Sequence, residues 1–179
     1  MTDALREDAV VRASRVRLMI FDVDGVLTDG SLHYNASGES TKTFNVLDGF
    51  GILLLQKAGI DTAIITARKS DIVAKRAADL GIKHVFQGSH DKRAGFEELL
   101  TRTMQEAQHC GYVGDDIIDL PVLSRVGFAA SVPNGRPEVH ARVHYVTEAA
   151  GGNGAVRELC DFILHAQGKY QAALAPYLK

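Results

Sequence analysis

Two aspartates stand two residues apart in a segment whose carboxylates could bind a metal ion or act as a nucleophile. Asp22 and Asp24 lie in the run Phe-Asp-Val-Asp-Gly-Val-Leu-Thr-Asp-Gly, which spans residues 21–30. Gly25 permits a bend in the chain that brings both side chains to one pocket. Paired carboxylates can bind Mg²⁺ together with a phosphate oxygen, and a carboxylate can also attack phosphorus to form an aspartyl-phosphate. Taken alone, the same segment is equally consistent with a turn after a strand.

Three more polar residues stand where they could join this pair. Thr66 and Asp115 each follow an apolar segment that predicts a buried strand, and Lys92 begins a segment that predicts a helix as far as Glu106. Because parallel strands end at the same edge of a sheet, we expect Asp22, Thr66 and Asp115 to meet there. Asp22, Asp115 and a nearby carbonyl could then hold Mg²⁺, and Lys92 could neutralise a phosphoryl group.

The elements that must position these residues alternate between short apolar segments and helical segments of about 10–15 residues. This alternation predicts a doubly wound, mostly parallel α/β sheet of the Rossmann-like kind, with ligands at the carboxyl ends of the strands. After the first strand, Asn35 and Gly38 favour a turn, which predicts a small β-hairpin over about residues 31–45. We expect a single domain over residues 1–168 and a C-terminal tail over residues 169–179.

Composition excludes several other classes of protein. The chain has 179 residues, of which 46% are hydrophobic, enough for one core and one domain. A net charge of −2 gives no basic field that would favour nucleic acid as a partner. The sequence has no apolar run of about 20 residues for a membrane and no apolar leader in residues 1–11. Cys110 and Cys160 lack the spacing of a disulfide or zinc motif, so a cytoplasmic protein is expected.

Four short motifs stand in order along the chain, each at a predicted strand or helix end. They are Asp-Val-Asp-Gly at 22–25, Ile-Ile-Thr at 64–66, Lys92, and Gly-Asp-Asp-Ile-Ile-Asp at 114–119. This set resembles the motifs of the haloacid dehalogenase superfamily, and it spans nearly the whole predicted body. The resemblance implies a haloacid dehalogenase-like α/β fold, and the presence of Asp24 is typical of the phosphatases of the superfamily.

The resemblance also implies a role for each motif residue. Asp22 would be the nucleophile, and Asp24 would protonate the leaving group and then activate water. Thr66 would donate a hydrogen bond to the phosphoryl group, and Lys92 would neutralise it. Asp22, Asp24 and Asp115 would form the Mg²⁺ site. A non-catalytic module on the same fold is the competing class of protein, but such a module is expected to have lost at least one of these residues.

Two features leave alternatives open. Asp116 and Asp119 could support the metal site, or either could be a solvated carboxylate at a helix N-terminus. The Gly-Gly-Asn-Gly run at 151–154 could approach a ligand through backbone N–H groups, or it could be a flexible turn.

The gaps between the motifs leave no room for a cap domain. Thr66 follows Asp22 by 44 residues, and Lys92 follows Thr66 by 26 residues. These gaps hold a hairpin and a helix but not a cap, so the site is expected to be open to water. Neighbouring subunits could close it, which predicts a homo-oligomer.

Longer segments sharpen the resemblance to one capless branch. Residues 22–30, 44–52, 114–121 and 151–158 resemble the phosphatases of 3-deoxy-D-manno-octulosonate 8-phosphate, a sugar-acid phosphate of lipopolysaccharide precursor synthesis. The resemblance implies a homotetramer whose hairpins assemble at its centre. It also implies a set of substrate-binding residues besides Asp24 and Lys92. These are Asn45, Val46, Leu47, Asp48, Gly49, Arg68 and Arg76.

Two departures leave the substrate open. Many members of this branch have arginine where this chain has Leu47, and a basic residue where it has Leu53. A sialic-acid-type sugar acid 9-phosphate is therefore the alternative substrate. Arg68 and Arg76 could also be ordinary solvated residues.

Overall fold

The fold is built around a six-stranded sheet. A computed structural model describes residues 3–179 of the chain, with side chains from residue 7 onward. The strands of the sheet, in chain order, are β1 (Leu18–Phe21), β4 (Asp61–Ile65), β5 (His84–Phe86), β6 (Cys110–Val113), β7 (Phe128–Ser131) and β8 (Tyr145–Val146). They lie in the order β5-β4-β1-β6-β7-β8, and every pairing is parallel. The predicted doubly wound α/β sheet is confirmed.

Helices cover both faces of the sheet. They are α1 (Asp3–Ala13), α2 (Val46–Lys57), α3 (Asp71–Asp79), α4 (Lys92–Thr103), α5 (Leu120–Leu123), α6 (Pro137–His140), α7 (Ala155–Ala166) and α8 (Tyr170–Leu174). Single 3₁₀ turns span Ala107–His109, Ile117–Asp119 and Ala175–Tyr177. Among the helices of residues 3–179, none is both long enough and apolar enough to span a bilayer.

The central strand β1 is buried on both faces, as a strand in a parallel sheet must be. Leu18 and Ile20 pack into the core layer that includes α4 and α5, while Met19 and Phe21 pack into the layer formed with α2 and α7. This division follows from the two-residue period of a strand.

The register of the central strands aligns their carboxyl ends. Phe21 is level with Ile64 of β4 on one side and with Val113 of β6 on the other. The chain segments that follow β1, β4 and β6 therefore leave the sheet at one edge, as the sequence predicts.

The predicted hairpin is confirmed as an antiparallel pair, β2 (His33–Asn35) and β3 (Gly38–Thr41), separate from the main sheet. One helix is shorter than predicted. α4 ends at Thr103 rather than at Glu106, because Met104 adopts a left-handed backbone with a φ of 53°. Residues of that conformation do not continue a right-handed helix.

The segment after residue 168 contains α8 and the last 3₁₀ turn, and it contacts α2. The Tyr177 ring meets the Phe50 ring edge-on at 5.4 Å, and Nζ of Lys57 donates a hydrogen bond to the Tyr177 hydroxyl at 2.8 Å. Cys110 and Cys160 are free thiols, and both are buried.

Candidate active site

The first aspartate pair lies in a tight turn directly after β1. The Asp22 N–H donates to the Val113 carbonyl at 3.1 Å, which fastens the start of the turn to β6. Gly25 has a φ of +88°, and a Cβ at this position would stand 2.2 Å from Oδ2 of Asp115. A residue with a side chain would be strained here and would collide with Asp115, so glycine is what lets the two segments meet.

Lys92 connects Asp22 to other polar side chains in the buried centre, our name for Asp22, Lys92, Tyr112, Asp115 and Asp119. Nζ of Lys92 lies 2.9 Å from Oδ1 of Asp22 and 2.6 Å from Oδ1 of Asp119, and it donates to the Tyr112 hydroxyl at 3.3 Å. The Lys92 side chain is 0% exposed. An ammonium group can remain charged at such a depth only because carboxylates neutralise it.

Asp119 and Asp116 have different environments, which the sequence alone did not separate. Oδ1 of Asp119 accepts hydrogen bonds from Lys92 and from the Tyr112 hydroxyl, the latter at 2.6 Å. Oδ2 of Asp119 accepts the backbone N–H groups of Asp115 and Asp116 at 3.0 and 3.1 Å. Asp116 is exposed and caps the short turn that follows it. Asp119 therefore holds the Asp115 loop against Lys92, whereas Asp116 is a surface cap.

Burial changes the ionisation of the two remaining carboxyl groups. Burial first, and then the charge of Asp119, raise the pKa of Asp22 to about 7. The same two causes raise the pKa of Asp115 to about 7. Burial opposes the charge of Lys92, but the nearby charges of Asp22 and Asp119 outweigh it and raise the pKa of the ammonium group. A centre in which carboxyl groups keep their protons to near neutral pH is short of positive charge.

These carboxyl groups fit a magnesium ion. Asp22, Asp115 and Asp119 offer oxygen atoms that all lie within 4.8 Å of one another. Asp119 already accepts four hydrogen bonds, so the carboxylates of Asp22 and Asp115 are the side chains available to an ion. Mg²⁺ prefers oxygen ligands and often takes only one or two carboxylates, and a divalent charge would make good the shortage of positive charge. The donor set therefore suits the cofactor predicted from the sequence.

The Asp24 side chain belongs to a different group, the hairpin cluster, our name for Asp24, Glu39, Lys42, Arg68 and Ser70. Oδ1 of Asp24 contacts Nζ of Lys42, and Oδ2 of Asp24 lies 3.7 Å from Nε of Arg68. Nζ of Lys42 is also 3.1 Å from Oε1 of Glu39, whose other oxygen accepts a hydrogen bond from Ser70. The carboxylate of Asp24 thus turns toward the hairpin and away from the carboxyl groups that could hold the ion.

Thr66 and Arg68 lie in the segment after β4. Thr66 is buried, and its carbonyl accepts the Ser89 N–H at 3.0 Å. The Arg68 side chain is 36% exposed, and its guanidinium lies 5.7 Å from the centre of the Tyr34 ring in the hairpin. Arg68 therefore stands between the sheet edge and the hairpin.

Asn45, Val46 and Leu47 form the exposed start of α2. The Asn45 side chain is the N-cap and accepts the Leu47 N–H at 2.7 Å. The side chains of Val46 and Leu47 are 77% and 54% exposed, which is unusual for aliphatic residues. They are accessible beside the site, and no described residue covers them.

Asp48, Gly49 and Arg76 are involved in contacts inside the protein. Asp48 is buried and accepts the Arg157 N–H at 2.8 Å, which joins the starts of α2 and α7. Nη2 of Arg76 lies 3.5 Å from the Asn45 carbonyl oxygen. A Cβ on Gly49 would stand 2.3 Å from that same nitrogen, so the glycine makes room for Arg76 against the helix. Arg76 thus supports the segment predicted to line the substrate.

Several polar residues of the site carry no signal in the sequence. Tyr112 looks like one more apolar strand residue, and Lys42 and Glu39 look like the polar residues of any exposed hairpin. Asn134 lies in a loop after β7, where its Nδ2 donates to the Gly25 carbonyl at 2.9 Å. Only the folded chain brings these side chains to the candidate site.

The backbone N–H groups of the glycine-rich run at 151–154 make hydrogen bonds within the protein. The Gly151 N–H donates to Oδ1 of Asn134 at 2.8 Å, and the Gly152 N–H donates to the Val26 carbonyl at 2.9 Å. The Gly154 N–H lies 3.4 Å from Oδ2 of Asp48. Of the two interpretations of this run, the structure favours the turn, which is joined to the segment after Asp24 by the hydrogen bond to the Val26 carbonyl.

Fold and site together define the class of protein: a haloacid dehalogenase-like hydrolase. The model of the family described as haloacid dehalogenase-like hydrolase matches residues 81–159. Curated relatives cover much more of the chain. The 3-deoxy-D-manno-octulosonate 8-phosphate phosphatase KdsC of Yersinia pestis is 45% identical over 93% of this chain and 89% of its own length. The enzyme of the same name from Escherichia coli K12 is 46% identical over 93% and 88%. The chain belongs to the 3-deoxy-D-manno-octulosonate 8-phosphate phosphatase family, which confirms the predicted resemblance.

Solved structures agree with this assignment. The phosphatase of this name from Moraxella catarrhalis, in complex with a magnesium ion, a phosphate ion and a KDO molecule, superposes with a TM-score of 0.93. It is 43% identical, and the match covers 96% of this chain and 98% of that one. The cobalt-bound enzyme from Haemophilus influenzae has a TM-score of 0.90 at 40% identity, over 94% and 99% of the two chains.

Proposed function

We propose that this protein hydrolyses 3-deoxy-D-manno-octulosonate 8-phosphate to the free sugar acid and phosphate, a step of lipopolysaccharide precursor synthesis. The observation that carries the proposal is the 45% identity over 93% of the chain to an enzyme of that name. The geometry of the site supports it, because Asp22 lies at the sheet edge against the ammonium group of Lys92, with Asp24 two residues further on.

In the proposed reaction, an oxygen of Asp22 attacks phosphorus while the bond from phosphorus to the sugar oxygen breaks. Asp24 gives its proton to that leaving oxygen and then takes a proton from a water molecule. The water oxygen attacks the phosphorus of the aspartyl-phosphate, which releases phosphate and restores the carboxylate of Asp22. One residue thus acts as acid in the first step and as base in the second.

Other residues hold the phosphoryl group in this proposal. Lys92 neutralises its charge, and Thr66 donates a hydrogen bond to it. Mg²⁺, held by Asp22 and Asp115 with the segment around Asp24, would supply further positive charge to the phosphoryl oxygens. The buried centre supports this assignment, since its carboxyl groups outnumber its one ammonium group.

The remaining assigned residues would bind the sugar acid. A carboxylate and a phosphate on one substrate call for cations at two places. Arg68 is accessible at the sheet edge, and Arg76 supports the segment 45–49 from within. We propose that Arg68 meets the sugar acid directly, while Arg76 keeps Asn45 and its neighbours in place.

The test is release of phosphate by purified protein loaded with Mg²⁺. We expect turnover with the eight-carbon sugar-acid 8-phosphate, and we expect Asp22→Asn to reduce it by at least about 10³-fold, since the attacking group is lost. Asp116→Asn, which changes a surface carboxylate of the same type, should stay within about threefold of the wild type. Turnover by Asp22→Asn at the wild-type rate would exclude Asp22 as the nucleophile.

Comparing kcat/KM across a panel of phosphorylated sugar acids identifies the substrate. Leu47 is more than half exposed beside the site and offers no charge to a sugar acid. A kcat/KM that is higher for a sialic-acid-type 9-phosphate than for the eight-carbon substrate would move the assignment to that alternative. No release of phosphate from any phosphomonoester would favour a non-catalytic module.

We also propose that the protein is a homo-oligomer, with a tetramer as the expected form. Exposed apolar side chains lie in the hairpin, at the start of α2 and in the turn after β6. They are Tyr34, Val46, Leu47, Ile117 and Ile118, from 43% to 77% exposed. Apolar side chains around an open site are typical of a protein contact, and a neighbour there would exclude water.

Sedimentation of the wild type and of Val46→Lys tests the oligomer. We expect the wild type to sediment as an oligomer and Val46→Lys to dissociate at low micromolar concentration. Met104→Lys is the matched control, because Met104 is 90% exposed beyond the far end of α4. A wild type that remains a monomer at assay concentrations would contradict the proposal.

The domain boundary and the location of the protein complete the proposal. We propose one domain over residues 1–168, with the hairpin as an insertion, followed by a C-terminal segment over residues 169–179. We also propose a cytoplasmic enzyme, which the two buried free thiols support.

A further inference from the structure

Lys42 is unlike the rest of its hairpin, because it is the only buried residue between positions 31 and 43. Its side chain is 1% exposed, although Thr41 and Thr43 on either side are exposed. Removing an ammonium group from water costs several kcal/mol unless carboxylates meet it. Asp24 and Glu39 do so.

The contact uses one oxygen of Asp24 and leaves the other available. Nζ of Lys42 meets Oδ1, whereas Oδ2 makes no hydrogen bond within residues 7–179. The nearest cation on that side is Nε of Arg68 at 3.7 Å, which is too far for a hydrogen bond and itself has no hydrogen-bond partner in the described part of the chain. A carboxylate exchanges a proton through one oxygen, so anchoring Oδ1 determines where Oδ2 stands.

Glu39 makes this anchor rigid. Its carboxylate lies 3.1 Å from Lys42 and 3.4 Å from Arg68, and it accepts a hydrogen bond from Ser70 at the start of α3. The hairpin and the segment between β4 and α3 therefore hold Lys42 together. Asp24 receives its orientation from these two segments rather than from its own turn.

We propose that Lys42 is a positioning residue that orients Asp24 for proton transfer. This inference rests on the proposed function, in which Asp24 first protonates the leaving oxygen and then takes a proton from water. Lys42 acts only through Asp24, since the phosphoryl group is assigned to Lys92. The hairpin thereby contributes to the chemistry through Asp24, beyond any part in assembly.

The leaving group of the substrate distinguishes this role from a purely structural one. A sugar alkoxide is strongly basic and needs a proton as it leaves, whereas p-nitrophenolate leaves without one. A displacement of about 1 Å in a catalytic group costs about 10²-fold. We therefore expect Lys42→Met to reduce kcat for the sugar-acid phosphate by about 30–100-fold, with KM changed by less than about threefold. The single-turnover release of p-nitrophenolate should fall by less than about fivefold.

Hydrolysis of the aspartyl-phosphate, the second step, provides an independent test of the role of Lys42. If Asp24 also fails to activate water, the aspartyl-phosphate on Asp22 persists after p-nitrophenolate has left. We expect a burst of p-nitrophenolate equal to the enzyme concentration and a trapped phosphoenzyme in acid-quenched Lys42→Met. The wild type and the matched control Lys75→Met, which removes an exposed lysine on α3, should show neither.

Equal losses with the two substrates, or no loss with either, would overturn the inference. If Lys42→Met fails to fold, as circular dichroism would reveal, Lys42→Arg takes its place. It retains the charge but shifts its position, and it should give an intermediate ratio of alkyl to aryl turnover. An unchanged ratio in that variant would also overturn the proposal.

The experiment separates this inference from the proposed function. A wild type that hydrolyses simple alkyl phosphates but not the sugar-acid phosphate would remove the proposed substrate, and the comparison is then made with the alkyl phosphate that it accepts. A wild type without any phosphatase activity would overturn both proposals. An active wild type with an unchanged leaving-group dependence in Lys42→Met would overturn only the role of Lys42.

Discussion

The buried centre and the hairpin cluster both place carboxylates against lysines at the same edge of the sheet, but they are built differently. In the buried centre, Lys92 and Asp119 are 0% exposed, and the segments that carry them follow the strands or begin α4. In the hairpin cluster, Asp24 and Arg68 are 21% and 36% exposed, and half of the partners come from a two-stranded insertion.

The difference indicates a division of labour. Groups that must hold charge at a fixed point are buried among strand ends, where a low dielectric strengthens every interaction and an unpaired charge is costly. In the proposed reaction, Asp24 exchanges protons with the leaving group and with water, and it lies nearer the surface, where water can reach it. Loss of a partner should therefore cost stability mainly in the buried centre and activity mainly in the hairpin cluster.

Asp119→Ala should show the largest effect on stability. It removes the acceptor of four hydrogen bonds and leaves the Lys92 ammonium group with Asp22 as its one carboxylate partner among the described residues. We expect a loss of about 3–5 kcal/mol in the free energy of unfolding, measured by urea denaturation. Asp116→Ala is the matched control and should cost about 1 kcal/mol, the usual value of a helix cap. Equal costs for the two variants would contradict the distinction between the two aspartates.

Stabilisation by Mg²⁺ should depend on pH, with the sign set by the buried carboxyl groups. Without the ion, Asp22 and Asp115 have folded-state pKa values of about 7, above the ordinary value of 3.8. Their contribution to stability is present below pH 3.8 and is lost as the pH rises through about 7. Mg²⁺ binds the ionised groups and competes with these protons, so it should stabilise most above that pH.

Thermal melting measures this effect. At pH about 8 and a Mg²⁺ concentration about 100 times Kd, we expect about 2.7 kcal/mol of stabilisation, or roughly 5–10 °C in Tm. At pH about 5.5 the rise should be less than about 2 °C. Asp115→Asn should lose most of the rise at pH 8. The same rise at both pH values would contradict the assignment of the ion to the buried carboxylates.

Glu39→Gln should show the smallest effect on stability. The Glu39 side chain is 13% exposed at the edge of the hairpin, and Lys42 keeps Asp24 as a partner when Glu39 is neutral. We expect a loss of less than about 1 kcal/mol in the free energy of unfolding, together with a clear loss of turnover. A stability cost as large as that of Asp119→Ala would remove the difference between the two regions.

The stability that Glu39 contributes should depend on pH with a sign opposite to that of Asp22 and Asp115 in the buried centre. Burial opposes the ionised form of Glu39, but the hydrogen bond from Ser70 and the contact with Lys42 outweigh it and lower its pKa below 4.5. The stability that Glu39 contributes is therefore present above pH 4.5 and is lost as the pH falls. Glu97→Gln, on the exposed face of α4, is the control and should be neutral.

The sequence by itself determined the fold and the candidates for the catalytic residues. Alternating apolar and helical segments predicted the parallel sheet, and the aspartates at 22, 24 and 115 were recognisable because each lies within three residues of the end of a buried strand. Strand ends can be located from the sequence because the apolar period and the glycines that break it are local properties. Their meeting at one edge then follows from the parallel topology alone.

The tertiary structure decided which of these groups face one another. Asp119 contacts Lys92, whereas Asp116 lies at the surface. The Asp24 side chain contacts Lys42 rather than the carboxylates that could hold Mg²⁺. Such pairings depend on the orientation of side chains from segments far apart in the chain, and a lysine in an exposed hairpin has no local pattern that signals burial. The sequence pattern therefore predicts which residues lie at the candidate site, and the packing of distant segments determines which charged side chains contact one another.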